Sequence, residues 1–139
     1  MLTLRTEQMR ALDAERRERF VRALEAHLQR YFPAFVAMQP PDSLRASIHQ
    51  TVEQAASLGL ETQGDVGVYL NLCAMLGWNF TSEPRHAWLA ELLRDASIPS
   101  AAHRLKLGCQ ELTRRLTLEA QQREALRQFQ ASAQRKESR

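Results

Sequence analysis

The stretch from Leu60 to Phe80, LETQGDVGVYLNLCAMLGWNF, constrains this chain more than any other. It places a dense apolar run between two glycines, Gly59 and Gly77, each set where a helix must stop. Val66, Tyr69, Leu70, Cys73 and Leu76 recur at three- and four-residue steps, the spacing of one face of an α-helix. Thr62, followed three residues later by Asp65, resembles a capping signal for its start. The segment reads as a core helix.

The flanking sequence supplies helices to cover it. A first helix is predicted from about Thr6 to Tyr31, with Met9, Leu12, Phe20, Leu24, Leu28 and Tyr31 on one face. Pro33 ends it, because the residue before a proline is pushed out of helical geometry. The link from Pro33 to Pro41 carries Phe35, Val36 and Met38, and such an apolar linker is expected to pack over the bundle. A second helix begins near Asp42 or Ser43, either of which can cap it, and carries Leu44, Ile48, Val52 and Ala55. Gly59 stops that helix, and Leu60 is placed for the apolar contact that accompanies a glycine C-cap.

Beyond Gly77, Trp78-Asn79-Phe80 forms an aromatic corner. Thr81-Ser82-Glu83-Pro84 then supplies a cap and an early proline for a fourth helix through about Arg94, with Trp88, Leu89, Leu92 and Leu93 inward. Pro99 and Ser100 start a last helix that can run to about Ser132, roughly 50 Å at 1.5 Å per residue. Its stripe of Leu105, Cys109, Leu112 and Leu116 fails over Glu119 to Glu124 and resumes on a shifted face with Leu126 and Phe129. The pattern predicts an all-α, single-domain bundle of about five helices: residues 1–118 as the core, and 119–139 as a C-terminal helical extension. Three outcomes stand for that extension: an arm that touches a partner, a fold-back onto the first helix through a break, or a frayed end.

Composition narrows the class. A chain of 139 residues is the size of one domain, and a domain of this size buries roughly two-thirds of its unfolded surface. Fractions of 44% hydrophobic and 25% charged exclude a disordered chain, and no run approaches the roughly 18 apolar residues of a membrane helix. The net charge of +3 rests on arginine, with Lys106 and Lys136 the only lysines. Alternation such as Asp13-Ala14-Glu15-Arg16-Arg17-Glu18-Arg19 reads as a solvated face with local ion pairs, so neither nucleic acid nor membrane is expected as a partner. The basic tail, Arg135, Lys136 and Arg139, reads as a frayed end. Cys73 and Cys109, with no secretion signal ahead of them, read as buried thiols of a cytoplasmic protein.

No constellation of catalytic chemistry emerges. His27, His49, His86 and His103 are too far apart for a helical ligand pair, and each reads as a surface or boundary residue. His103 and Cys109, six residues apart, lie nearly opposite on a helix, and Cys73 reads as buried and inert. Glu15, Glu18, Glu25 and Glu53 are accounted for by solvated-face pairing, and Asp65 by its place at a helix start. Gly64-Asp65-Val66-Gly67 lacks the spacing and the lysine of a phosphate loop. The expectation is a non-enzyme with no catalytic, cofactor-binding or metal-ligating residues.

Landmarks along the first two-thirds of the chain carry a resemblance. They are Leu-Thr-Leu-Arg-Thr-Glu-Gln-Met at the start, Phe20, His27-Leu28, Tyr31-Phe32-Pro33, Ala55-Ala56, Leu58-Gly59-Leu60-Glu61-Thr62, Asp65-Val66 and Leu76-Gly77-Trp78-Asn79-Phe80. In this order the chain resembles small helical accessory proteins encoded in type VI secretion effector modules of Gram-negative bacteria. The resemblance covers about residues 1–95. It implies a cytoplasmic, non-enzymatic co-chaperone that binds the adaptor chaperone loading a toxin onto the secretion spike. The alternative is an immunity protein that binds and neutralises a cognate toxin; such inhibitors are often acidic, whereas this chain is slightly basic. Aromatic residues often dominate interfaces, so Trp78, Phe80, Trp88, Leu126 and Phe129 are the candidate partner-binding positions. Core packing is the competing reading for both tryptophans. A self-associating helix would carry the same C-terminal stripe, so a homo-oligomer stays open.

Overall fold

A computed structural model of the chain describes the backbone of residues 2–137 and the side chains of residues 13–137. Six α-helices and two short 3-10 turns make up the fold: α1 (Leu2–Tyr31), α2 (Pro33–Ala37), α3 (Leu44–Ser57), α4 (Gln63–Leu76), turns at Phe80–Ser82 and Pro84–His86, α5 (Ala87–Leu93) and α6 (Ala101–Glu137). No strand occurs among the described residues. The all-α bundle with a long last helix is the architecture expected from the sequence, with one helix more than the five anticipated.

The core forms around α4. Val66, Tyr69, Leu70, Leu72 and Cys73 are all buried on it. Helices α1 and α3 pack against it and each other, contributing Val21, Leu24 and Leu28 from α1 and Leu44, Ile48 and Ala55 from α3. On the other side α6 contacts α4, and α5 packs on α6 through Leu89 and Leu93. The ends of α4 follow the sequence signals. Thr62 accepts a 3.1 Å bond from the Asp65 amide, and Gly77 at the C-terminal end takes φ +109°, which side chains other than glycine rarely adopt.

The C-terminus of α3 shows how local chemistry turns the chain. Gly59, at φ +87°, and Leu60 return their amides to Ala56 and Ala55 at 3.0 and 2.9 Å, the paired bonds of a Schellman motif. Leu60 is then buried, as its position predicted. The carbonyl of Leu58 accepts from the Arg104 guanidinium at 3.2 Å, which also donates to the Ile98 carbonyl at 2.6 Å. One α6 side chain thus ties the end of α3 to the loop between α5 and α6. His27 makes a second tie, from α1 to Asn71 of α4 at 2.7 Å.

Several expectations are corrected. Tyr31 is 60% exposed and falls outside the α1 stripe, which keeps Leu24 and Leu28 with Phe20 partly buried beside them and gains Val21; the Met9 and Leu12 side chains lie outside the described residues. The link after Pro33 folds into α2, which rests on α1 with Phe35 and Val36 half-buried, while Met38 is 79% exposed. Ser43 sits at the start of α3, yet its hydroxyl donates to the Pro40 carbonyl at 3.1 Å instead of capping the helix. The expected fourth helix opens as two 3-10 turns and becomes α-helical only at Ala87. On α6, burial ends at Leu112, and Leu116, expected in the stripe, is 39% exposed. The first turn of α5 reaches α6 only as far as Arg115, which lies over Trp88, and among the described residues none of α6 beyond Leu112 is buried.

The contact between α5 and α6 depends on Gly108. A Cβ placed there would lie 2.7 Å from Leu89 Cδ1, and Leu89 is itself fully buried. Gly108→Ala is therefore expected to lower stability by about 1–3 kcal/mol through overpacking. Gly67→Ala on α4, where an added Cβ meets nothing within 4 Å, should instead raise it by about 0.5–1 kcal/mol, the usual helix-interior gain. Urea unfolding of the two variants reads the contrast, and a Gly108→Ala variant as stable as Gly67→Ala would show that α5 has room to retreat.

Candidate protein-interaction surface

Helix α6 spans 37 residues, about 55 Å at 1.5 Å per residue. Its first third is core, with Leu105, Gly108 and Leu112 buried. Every residue from Thr113 to Glu137 is exposed. The helix runs unbroken to Glu137, and its exposed part begins six residues before the anticipated boundary at 119. Leu118, Leu126 and Phe129 on it are 44, 56 and 71% exposed.

The five candidate contact residues divide. Phe80 is fully buried with its ring 5.6 Å from Tyr69, which makes it a core residue and removes it from the surface. Trp78 is half-buried and locked: its indole N–H donates to Gln39 Oε1 at 2.9 Å, and its ring lies 5.1 Å from Phe35. Both interactions hold the α2 segment against the end of α4, the core-packing reading for this tryptophan. Trp88 is half-buried at the root of the arm, where the Arg115 guanidinium sits 4.0 Å over its ring in a cation–π contact. Only Leu126 and Phe129 stand free of the bundle.

Concavities flank α6 where it meets the bundle. Near the arm's root a hollow of about 290 Å³ is lined by Met75, Leu76, His86, Trp88, Leu112, Arg115 and Leu116, among others. Along the buried third of the helix, α4 and α6 frame an apolar groove of about 540 Å³, with Val68, Leu105 and Cys109 in it and Asp65 and Lys106 beside them. Met75 and Val68 are 51 and 39% exposed; sequence reading missed both, because the apolar density of α4 gives no sign of which strip its neighbours leave uncovered.

The titratable groups sort into structural roles. Glu25 pairs with Arg45 at 2.6 Å and Glu53 with Arg17 at 3.1 Å, the solvated pairing expected of them. His49 lies 3.7 Å from Glu18, and His86 Nε2, without a hydrogen bond, lies 3.8 Å from Glu83. No group of three or more His, Cys, Asp or Glu suited to a metal occurs among the described residues. Burial pushes the Cys73 thiol up to about 12 and raises that of Cys109. Hydrogen bonds from Arg114 and Arg115, at 2.7 to 3.1 Å, pull Glu111 down to about 2.

Neither concavity brings a thiol, an imidazole and a carboxylate together: the groove holds Cys109 and Asp65 without histidine, and the root hollow holds His86 and Glu119 without cysteine. What the arrangement offers is surface: a rigid exposed helix with apolar side chains, rooted beside an arginine-capped tryptophan. Compared with known proteins, the chain matches no family model, no curated protein and no solved structure.

Two measurements probe this picture. With a folded-state value below the ordinary 4.5, ionised Glu111 adds stability at neutral pH that is lost as pH falls towards about 2. Glu111→Gln should therefore flatten the acid limb of a plot of Tm against pH, and an unchanged limb would show that the arginine pair does not hold in solution. Iodoacetamide at mildly alkaline pH should spare Cys73 in the native protein and label it only on unfolding, since the thiolate is the reactive form; rapid native labelling of Cys73 would contradict its burial.

Proposed function

We propose that this chain is a non-enzymatic protein-binding accessory factor of a type VI secretion effector module, acting in the cytoplasm as a co-chaperone on the effector-loading adaptor chaperone. The observation that carries the protein-binding part is the bare half of α6. Twenty-five consecutive helical residues, Thr113 to Glu137, are exposed, and they present Leu118, Leu126 and Phe129 to solvent. Exposed apolar side chains on an ordered element mark interaction sites. The bundle beneath is a scaffold: its polar ties, Arg104 to three backbone carbonyls and His27 to Asn71, join helices to one another.

The assignment to an effector module rests on the resemblance of residues 1–95 alone, and the adaptor is the partner that resemblance implies. No helix among the described residues is long and apolar enough to cross a membrane.

The test uses the tagged protein expressed with the neighbouring genes of its own module. The full chain is expected to copurify with an adaptor, without the toxin. A chain lacking residues 119–139 should lose that partner while its Tm stays within about 3 °C of the full chain's, since residues 119–137 are all exposed. Copurification of a toxin, with suppression of its lethality by this protein alone, would replace the co-chaperone reading with the immunity reading. A large fall in Tm would make the arm part of the fold.

A further inference from the structure

The charge of the chain is unevenly placed. Residues 113–139 hold seven of the nineteen basic side chains and three of the sixteen acidic ones, a surplus of four positive charges. Residues 1–112 hold the remaining twelve basic and thirteen acidic groups, a net −1. The positive excess therefore belongs to the arm.

Five of the arm's eight apolar side chains also share one face. At 3.6 residues per turn, Leu118, Ala125, Leu126, Phe129 and Ala133 fall within one arc of about 100°. This arc is turned roughly a quarter-turn from the face that Leu105, Gly108 and Leu112 present to the bundle. Leu126, Phe129 and Ala133 have the i, i+3, i+7 spacing of anchors that seat a helix in a groove.

Taking the arm as the docking element of the proposed function, we infer that its partner is a protein groove with an apolar floor for Leu126 and Phe129 and an acidic rim for the arm's arginines. Other occupants fit these observations less well. A second copy would bring one positive arm against another, and polar Gln122 in the middle of the arc interrupts any heptad seam. Nucleic acid calls for basic groups gathered on one face. Here Arg123, Arg127, Arg135 and Lys136 are spread around the helix, with Glu119, Glu124 and Glu137 among them, and Glu124 pairs with Arg127. A lipid surface calls for a broad apolar face, and three large apolar side chains on this arc do not make one. An acid-rimmed groove uses both the short apolar arc and the surrounding charge, the charge steering association.

The probe is a fluorescein-labelled helical peptide with Leu at heptad positions a and d and Glu at e and g, titrated with the full chain and read by anisotropy. A twin peptide with Lys in place of Glu is the comparison. The full chain is expected to bind the acidic peptide at least tenfold more tightly than the basic one, and less tightly as salt is raised. Leu126→Ser with Phe129→Ser should weaken that binding tenfold or more at unchanged Tm. Arg123→Glu with Arg127→Glu, which brings the arm's net charge to zero, should abolish the preference between the twins.

Equal binding of the two peptides, or binding of neither, overturns the inference. So does preferred binding of duplex DNA or of phosphatidylserine vesicles, or a dimer in sedimentation that the Leu126 and Phe129 variant dissolves. If the peptides are ignored while copurification still requires residues 119–139, the charge chemistry falls and the docking role of the arm survives.

Discussion

The burial of α4 governs the structure. Val66, Tyr69, Leu70, Leu72 and Cys73 occupy so much of its circumference that no single neighbour can cover them. Helices α1 and α3 close one side and α6 closes another, with Phe80 folding back onto Tyr69 at the C-terminal end. The turns exist to deliver those covers. A Schellman turn at Gly59 reverses α3 into the approach to α4, and Gly77 releases the chain so that Phe80 can return. The strip of α4 left open, with Val68 and Met75, borders both concavities beside α6. The shape of the core thus decides where apolar surface remains available.

Much of this was legible because the signals are local. The stop glycines, the Thr62 cap and the three- and four-residue periodicity act within a few residues, and the structure follows each of them. What failed depended on distant partners. The burial of Phe80 and the half-burial of Trp78 are opposite outcomes for neighbours in one aromatic corner. They are decided by Tyr69 on one side and by Gln39 and Phe35 on the other. Tyr31 and Leu116 have the right spacing for their stripes, but the neighbouring helices end before reaching them. Helix α2 was missed for another reason. A helix of five residues is too short to show a period, and it forms because Pro33 presets its first turn and α1 lies beneath it. The extension was legible as a helix that outruns its bundle: the stripe fails in the polar run after Leu116, and the unbroken α6 agrees with the long last helix expected.

A helix that leaves its bundle loses the tertiary contacts that usually stabilise helices, so the arm's order needs an explanation from its own residues. Nucleation is the costly step of helix formation, and in α6 the buried segment through Leu112 has already accomplished it. Each residue beyond needs only to propagate, and the segment is rich in Ala, Leu, Gln, Arg and Glu, all good helix formers. Side-chain pairs add support where the helix leaves the core and again further out. Glu111 holds Arg114 and Arg115 at the exit, and Glu124 engages Arg127 and Gln128. Exposed pairs of this kind contribute only a few tenths of a kcal/mol each, yet they act on a helix whose start is already fixed.

This division of α6 has a consequence for recognition. An arm that is helical before it meets a partner loses less conformational entropy on docking than a segment that must fold there, so a short apolar arc can suffice where a disordered tail would need a larger one. The same division separates the effects of substitution. Changes up to Leu112 act on a packed interface and appear as stability, because Gly108 and Leu89 leave no slack between α5 and α6. Beyond Arg115, whose guanidinium still covers Trp88, changes fall on exposed residues and alter charge and apolar contact with little effect on the scaffold. One helix can therefore carry two independent sets of constraints. The boundary between them lies where α6 passes the first turn of α5, at Trp88.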